Sequence, residues 1–173
     1  MKPGENEKAG PITDFLVKDH KRLEGLLQSA VAHAGSVDQE TYDQFRAGLL
    51  RHIGMEEKIL LPAGQRLRGG EPLSIAAKLR LDHGAIASLL MPPPSAAVIA
   101  TIRAVLKVHN IIEEGPGGLY ETCDELAASE AAQLLAKLQA APELAVLPCS
   151  DSPAVMPAVQ RALERAGYDF HKE

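Results

Sequence analysis

Four stretches of this chain carry apolar side chains at helical spacing, and on each apolar stripe stands one histidine. Leu16, His20, Leu23 and Leu27 follow the i, i+4, i+7, i+11 pattern that lines one face of a helix. Tyr42, Phe45, Leu49, His52, Glu56, Ile59 and Leu60 make a second stripe, and Ala76, Leu79, His83, Ile86 and Leu90 a third. The fourth holds Val98, Ile102, Val105, His109, Ile112 and Glu113. β-Branched and aromatic residues never alternate with polar ones over several positions, so strand signals are nearly absent.

Helix breakers separate the stripes. The spacing predicts a first helix from about Thr13 to Ala34, entered after Pro11 and left at Gly35. A second starts near Asp38, is kinked or ended in its regular part at Pro62, and stops at Gly69-Gly70. A third runs from about Pro72 to Leu90 and a fourth from about Ser95 to Glu114, where GPGG terminates it as an ordinary helix end. Antiparallel helices of about 20 residues joined by short loops make an up-down-up-down four-helix bundle, so the expected fold is all-α. An alanine-rich helix, about Leu119 to Ala140, is expected to pack Leu126, Leu134 and Leu138 on the outside of the bundle. The expected organisation is a flexible N-terminus over residues 1–11, the bundle over 12–140, and a tail over 141–173. The tail holds a short helix from Ala158 to Ala166, closed by Gly167. The sequence leaves open whether it docks, and no internal repeat of fixed period is found.

Composition narrows the function. A hydrophobic content of 46% and a charged content of 24% suit a globular chain with a real core. The formal net charge of −5 argues against a nucleic-acid surface. MKPGENEKAG has no apolar core of a signal peptide, and no run of about 18 apolar residues suggests a membrane span. Cys123 and Cys149 are isolated and read as ordinary thiols, so a cytoplasmic location is expected.

Two histidines belong to His-x-x-x-Glu pairs, His52 with Glu56 and His109 with Glu113. Residues four apart sit one turn above each other, so both side chains of a pair enter the same volume. Successive histidines are separated by about one helix plus one loop, which in an antiparallel bundle brings His20, His52, His83 and His109 to a common level. Singly, such a histidine is more often a hydrogen-bonded core residue, and such a pair a surface contact worth about 0.3–0.5 kcal/mol. Together they place two carboxylates in an apolar core, at a cost on the order of several kcal/mol each unless compensated. Two divalent cations among imidazoles and carboxylates supply the compensation. A ligand set of imidazole and carboxylate without thiolate suits iron, manganese or zinc; six ligands exceed one tetrahedral zinc, and helical bundles with inward Glu and His commonly hold di-iron or di-manganese centres. The expected metal ligands are His20, His52, Glu56, His83, His109 and Glu113.

The order Asp19-His20-Lys-Arg-Leu, His52-x-x-x-Glu-Glu with Leu-Leu-Pro62, Asp82-His83, and His109-Asn-x-x-Glu-Glu with Leu119-Tyr120 resembles the hemerythrin-like (HHE cation-binding) family over roughly Ile12 to Leu126. The resemblance implies a non-haem di-iron site, with the four histidines as terminal ligands and Glu56 and Glu113 as bridges. It also implies dioxygen or nitric oxide binding in some members, and iron sensing or iron–sulfur repair in others. Two departures stand out. The respiratory oxygen carriers have a further histidine where this chain has Ala87, and their last carboxylate lies five residues after the last histidine, where this chain has Glu114. Glu57 and Glu114 read most simply as solvated helix residues, with Glu114 the alternative to Glu113 as bridge. Phe15, Phe45 and Tyr120 read as core packing that also walls the site, and His33 and His171 as surface residues.

The sequence thus points to a cytoplasmic protein that binds dioxygen, nitric oxide or peroxide at two irons, with no nucleic acid or membrane as partner. A missing imidazole also admits a di-iron peroxidase, an oxygen-activating catalyst or an iron–sulfur repair protein. A metal-free helical interaction module is the third reading, with the tail after Pro142 as its contact element and any protein partner left open.

Overall fold

The computed structural model describes residues 9–172, so most of the N-terminus expected to be flexible lies outside the described residues. Its last part is ordered into a helix start, with Gly10 as N-cap and Pro11 in the first turn. Helix α1 spans Pro11–Ala30 and α2 spans Gln39–Met55. The same rod widens over Glu56–Leu60 and continues as α3, Leu61–Leu67. Then follow α4 (Ala76–Leu89), α5 (Ala96–Glu114), α6 (Leu119–Ala127), α7 (Ala131–Gln139) and α8 (Val155–Ala166). No strand occurs among the described residues.

The interior alternates direction. Leu23 and Leu27 late in α1 share a cluster with Tyr42, Phe45 and Leu49 early in α2, Ile86 and Leu89 late in α4, and Val98 and Ile102 early in α5. Late residues of one helix meeting early residues of the next is the mark of antiparallel neighbours. A second cluster joins Ile12 and Leu16 of α1, Leu60 and Leu61, Leu79 of α4, and Leu119 and Cys123 of α6. Each such side chain, fully buried, contributes about 1.5–3 kcal/mol of transfer free energy. Between the two clusters lies a layer of buried polar residues: Asp19, His20, His52, Glu56, Asp82, His83, His109 and Glu113.

Several expected boundaries move, each for a local reason. Helix α1 ends at Ala30 rather than Ala34, because the chain folds back and Asp38 N–H donates to the Ala30 carbonyl at 2.8 Å. Gly35, at φ 76°, makes that return turn. Asp38 then caps α2 by accepting from Thr41 N–H at 2.7 Å. Helix α4 starts at Ala76 rather than Pro72, after a turn anchored by buried Leu73. Pro62 does not end the second rod. Just before it the backbone bonds one residue further back, with Leu61 N–H on the Glu56 carbonyl.

The alanine-rich segment is two helices, broken at Ala128 with φ 42°. Its apolar face packs onto the bundle: Leu134 and Leu138 are buried in the second cluster, with Leu126 packed against it. Asp124 of α6 also replaces the missing side-chain cap of α1, accepting from Ile12 N–H at 3.0 Å and from Thr13 N–H at 2.9 Å. A Cβ on Gly10 would sit 2.2 Å from that carboxylate, so only glycine allows the approach. The tail docks. Val155, Val159 and Leu163 of α8 are buried in the first cluster, and Gly167 at φ 86° closes the helix.

Candidate metal centre

The polar layer is built from two repeats of one arrangement. Asp19-His20 on α1 and Asp82-His83 on α4 place an aspartate beside an inward histidine. His52 with Glu56-Glu57, and His109 with Glu113-Glu114, place an inward glutamate one turn after the histidine and a second beside it. The helix widening begins at Glu56, so this inward glutamate lies where regular helix bonding is relaxed.

The inward atoms form two groups that share both glutamates. In one half, His52 Nε2 is 3.1 Å from Glu56 Oε1 and His20 Nε2 is 3.4 Å from Glu113 Oε2. In the other, His83 Nε2 is 3.1 Å from Glu56 Oε2 and 3.5 Å from Glu113 Oε1, while His109 Nε2 is 2.9 Å from Glu113 Oε1. Each carboxylate therefore offers one oxygen to each half. Within each half the four donor atoms all lie within 4.8 Å of one another, and both glutamates are 0% exposed.

Every imidazole is backed on its other nitrogen by a carboxylate from a different helix. Asp19 meets His52 Nδ1 at 2.7 Å, Asp82 meets His109 Nδ1 at 3.2 Å, Glu57 meets His83 Nδ1 at 2.6 Å, and Glu114 meets His20 Nδ1. A carboxylate there holds the proton on Nδ1 and turns the Nε2 lone pair inward. Three of these carboxylates are themselves held by cations: Asp19 by Arg22 at 2.8 Å, Asp82 by Lys78 at 2.5 Å, and Glu57 by Arg80 at 3.4 Å. Glu57 and Glu114 are thus not simply solvated, because each orients a histidine. Glu114 faces the outer nitrogen of His20, while Glu113 points inward.

Electrostatics at the layer is governed by these pairings. Burial by itself would lower the histidines, but facing carboxylates outweigh it and raise His52 and His83 to about 10 and His109 to about 9. His20 is raised for the same reason, by Glu113 and Glu114. Burial would raise Asp19, yet His52 and Arg22 hold it at about 2. Glu113 lies well below the usual carboxylate range despite burial, because His109, His20 and His83 surround it. Six carboxylates against four imidazoles leave a demand for positive charge. Four imidazole protons or two divalent ions meet that demand equally in formal charge.

The donor set fits cations better than protons in one half. Glu56 Oε2, His83 Nε2 and Glu113 Oε1 are buried without a hydrogen-bond partner. They approach one another without hydrogen-bond geometry, as lone pairs converging on a shared point would. The opposite half is satisfied by Tyr120, read from the sequence as core packing that also walls the site. Tyr120 Oη lies 2.6 Å from Glu56 Oε1, 3.0 Å from Glu113 Oε2, and 3.1 Å from both His20 Nε2 and His52 Nε2. Its phenol is pushed well above its ordinary range by burial and by the Glu56 and Glu113 carboxylates.

The GPGG stretch gives this hydroxyl its place. Gly117 takes φ 71°, and a Cβ on Gly118 would lie 2.6 Å from the Glu113 carbonyl, so the chain can turn back tightly against the end of α5. More than a helix stop, the glycines return Tyr120 to the layer. Phe45 packs in the first cluster and Phe15 against the second, while His33 and His171 are exposed. Cys123 is buried, and burial with Asp124 and Glu56 raises its thiol to about 12, while its sulfur belongs to neither donor group. The outer carboxylates had one signal in the sequence, the repeated Asp-His and Glu-Glu pairs, whose unequal spacing hides them from a search for a fixed period.

Fold and site together define a helical-bundle protein whose core presents two His/Glu groups spaced to receive a metal ion. The family model for the hemerythrin HHE cation binding domain matches residues 12–141, and the chain belongs to that family. Neither the curated proteins nor the solved structures contain a match to it.

Proposed function

We propose that this chain is a cytoplasmic non-haem di-iron protein that binds or senses dioxygen, nitric oxide or iron itself. The observation that carries the reading is the sharing of Glu56 and Glu113 between two histidine pairs, with three inward atoms of one half unpartnered. His20 and His52 would hold one ion, His83 and His109 the other, and the two glutamates would span both. Imidazole with carboxylate and no thiolate suits iron, and also admits manganese or zinc. Iron would supply a redox-active centre able to take a small ligand.

The chain's own residues supply the rest. Asp19, Asp82, Glu57 and Glu114 hold the Nδ1 protons, so each Nε2 faces inward as a lone pair. The two apolar clusters exclude bulk water above and below the layer, which strengthens every charge interaction inside it. Protein isolated and loaded with ferrous iron without oxygen should contain close to two irons per chain. Less than about half an equivalent of any transition metal would sink the reading.

A catalytic reading draws on Ala87, which lies where the respiratory carriers have a further imidazole and leaves the His83 half with two histidines. Peroxide reduction or iron–sulfur repair would use the resulting exchangeable positions. Peroxide turnover that vanishes in Glu56→Ala would favour it, and turnover indifferent to that change would reject it.

A further inference from the structure

The two halves of the layer differ in a way that no ligand assignment above uses. In the His20–His52 half, one hydroxyl oxygen stands among all four inward atoms, 2.6 to 3.1 Å from each. No hydroxyl partners the inward atoms of the His83–His109 half among the described residues, and three of those atoms have no hydrogen-bond partner. An ion bonded to imidazole nitrogen and carboxylate oxygen sits about 2.0–2.2 Å from each donor. Its place in the first half therefore overlaps the space of Tyr120 Oη, and loading must push that oxygen back.

The fold limits how far it can go. Tyr120 is 0% exposed, and its ring packs in the second apolar cluster beside Leu119 and Cys123. One turn later Asp124 ties α6 to the first amides of α1, with Thr13 Oγ1 donating to it at 2.7 Å as well. Gly118 holds the other side against the Glu113 carbonyl. A phenol fixed at both ends and displaced by an ion remains beside that ion.

Resting on the di-iron reading, we propose that Tyr120 is a seventh protein ligand, binding through its phenol oxygen to the ion of the His20–His52 half. The O–H bond breaks, the oxygen–metal bond forms, and the proton passes to solvent; no electron moves. The protein thereby closes that half, and a small outside ligand binds at the His83–His109 ion alone. The two histidine pairs, alike in composition, take different work.

The test is resonance Raman and visible absorption of the ferric protein, with iron counted on the same samples. Wild type should show a phenolate-to-iron charge-transfer band with enhanced tyrosinate ring modes, and azide should titrate to one equivalent per chain. Tyr120→Phe should lose the band and modes while keeping iron. The double variant Tyr42→Phe/Tyr168→Phe, which leaves Tyr120 as the one tyrosine of three, should keep them. That variant decides the matter even where Tyr120→Phe folds poorly. Two irons without tyrosinate modes in wild type, modes lost from the double variant, or two equivalents of azide would each overturn the assignment while leaving the di-iron reading intact. Absence of bound iron in wild type would overturn both.

Discussion

His20 with His52, and His83 with His109, approach Glu56 and Glu113 from opposite sides, and each ring is backed by a carboxylate of another helix. Among the described residues, only the first pair has a hydroxyl among its inward atoms, and only the second has inward atoms left unpartnered. A repeated motif thus guarantees the same donors twice without guaranteeing the same chemistry. What lies at the open end of each half comes from outside the repeat. For the first it is Tyr120, carried in by a glycine turn after the last ligand helix. For the second, no hydroxyl stands there among the described residues, and Lys78 acts further out, gripping Asp82 behind His109 at 2.5 Å and the Ala166 carbonyl of α8 at 2.7 Å.

The comparison is broken most completely by removing what the halves share. Glu56→Ala or Glu113→Ala should drop bound iron from about two equivalents to less than half of one, because each glutamate donates to both ions. Retention of one full equivalent by either variant would show that the halves do not depend on a common bridge. Next in size, His83→Ala should empty its own half and leave about one equivalent in the other, with the tyrosinate signal of Tyr120 retained. Loss of that signal in His83→Ala would mean the halves load only together.

Changes to the backing carboxylates should be smaller and confined to one half. Asp82→Asn is expected to weaken one of two binding steps about 10- to 100-fold, and Asp19→Asn the other, as loss of a ring-orienting partner generally does. Isothermal titration with a divalent ion reads both steps. Equal weakening of both by either variant would contradict the division into halves. Chelating the metal should cost about 2.7 kcal/mol for each ion when it had been present at a hundred times its dissociation constant, hence about 5–10 °C in Tm per ion for a chain of this size. An unchanged Tm after exhaustive chelation would instead favour a metal-free helical module.

The smallest effect is a pH dependence of the chelated protein. His52 faces Asp19 and Glu56, His83 faces Glu56, Glu57 and Glu113, and His109 faces Asp82 and Glu113. All three hold protons more tightly folded, at about 9 to 10, than at the ordinary 6.5. Their stabilisation is fully present below about pH 6.5 and is lost as pH climbs through 9 to 10. The metal-free Tm should therefore fall over that window by at least about 3 °C, the effect of roughly one kcal/mol. In the metal-loaded protein the ions replace those protons, so the fall should be absent, and differential scanning calorimetry at several pH values separates the two.

Much of this was legible in the sequence because helix periodicity is a local property. Leu16, His20, Leu23 and Leu27 fall on one face whatever they later pack against, and all four are buried. The same holds for His52 with Glu56 and His109 with Glu113, so the all-helical fold and the inward set of six could be read without coordinates. The helix ends were less legible. Ala30 rather than Ala34 closes α1 because a distant amide, that of Asp38, takes its carbonyl.

The sequence by itself determined the helices, their apolar stripes and the donors one turn apart, since each depends on neighbours within a few residues. Only the tertiary structure decided that Glu57 backs His83, that Glu114 backs His20, and that Tyr120 enters one half and not the other. Those assignments depend on how helices are rotated and turned back against one another. That rotation is set by the summed packing of two apolar clusters, which no short-range pattern encodes.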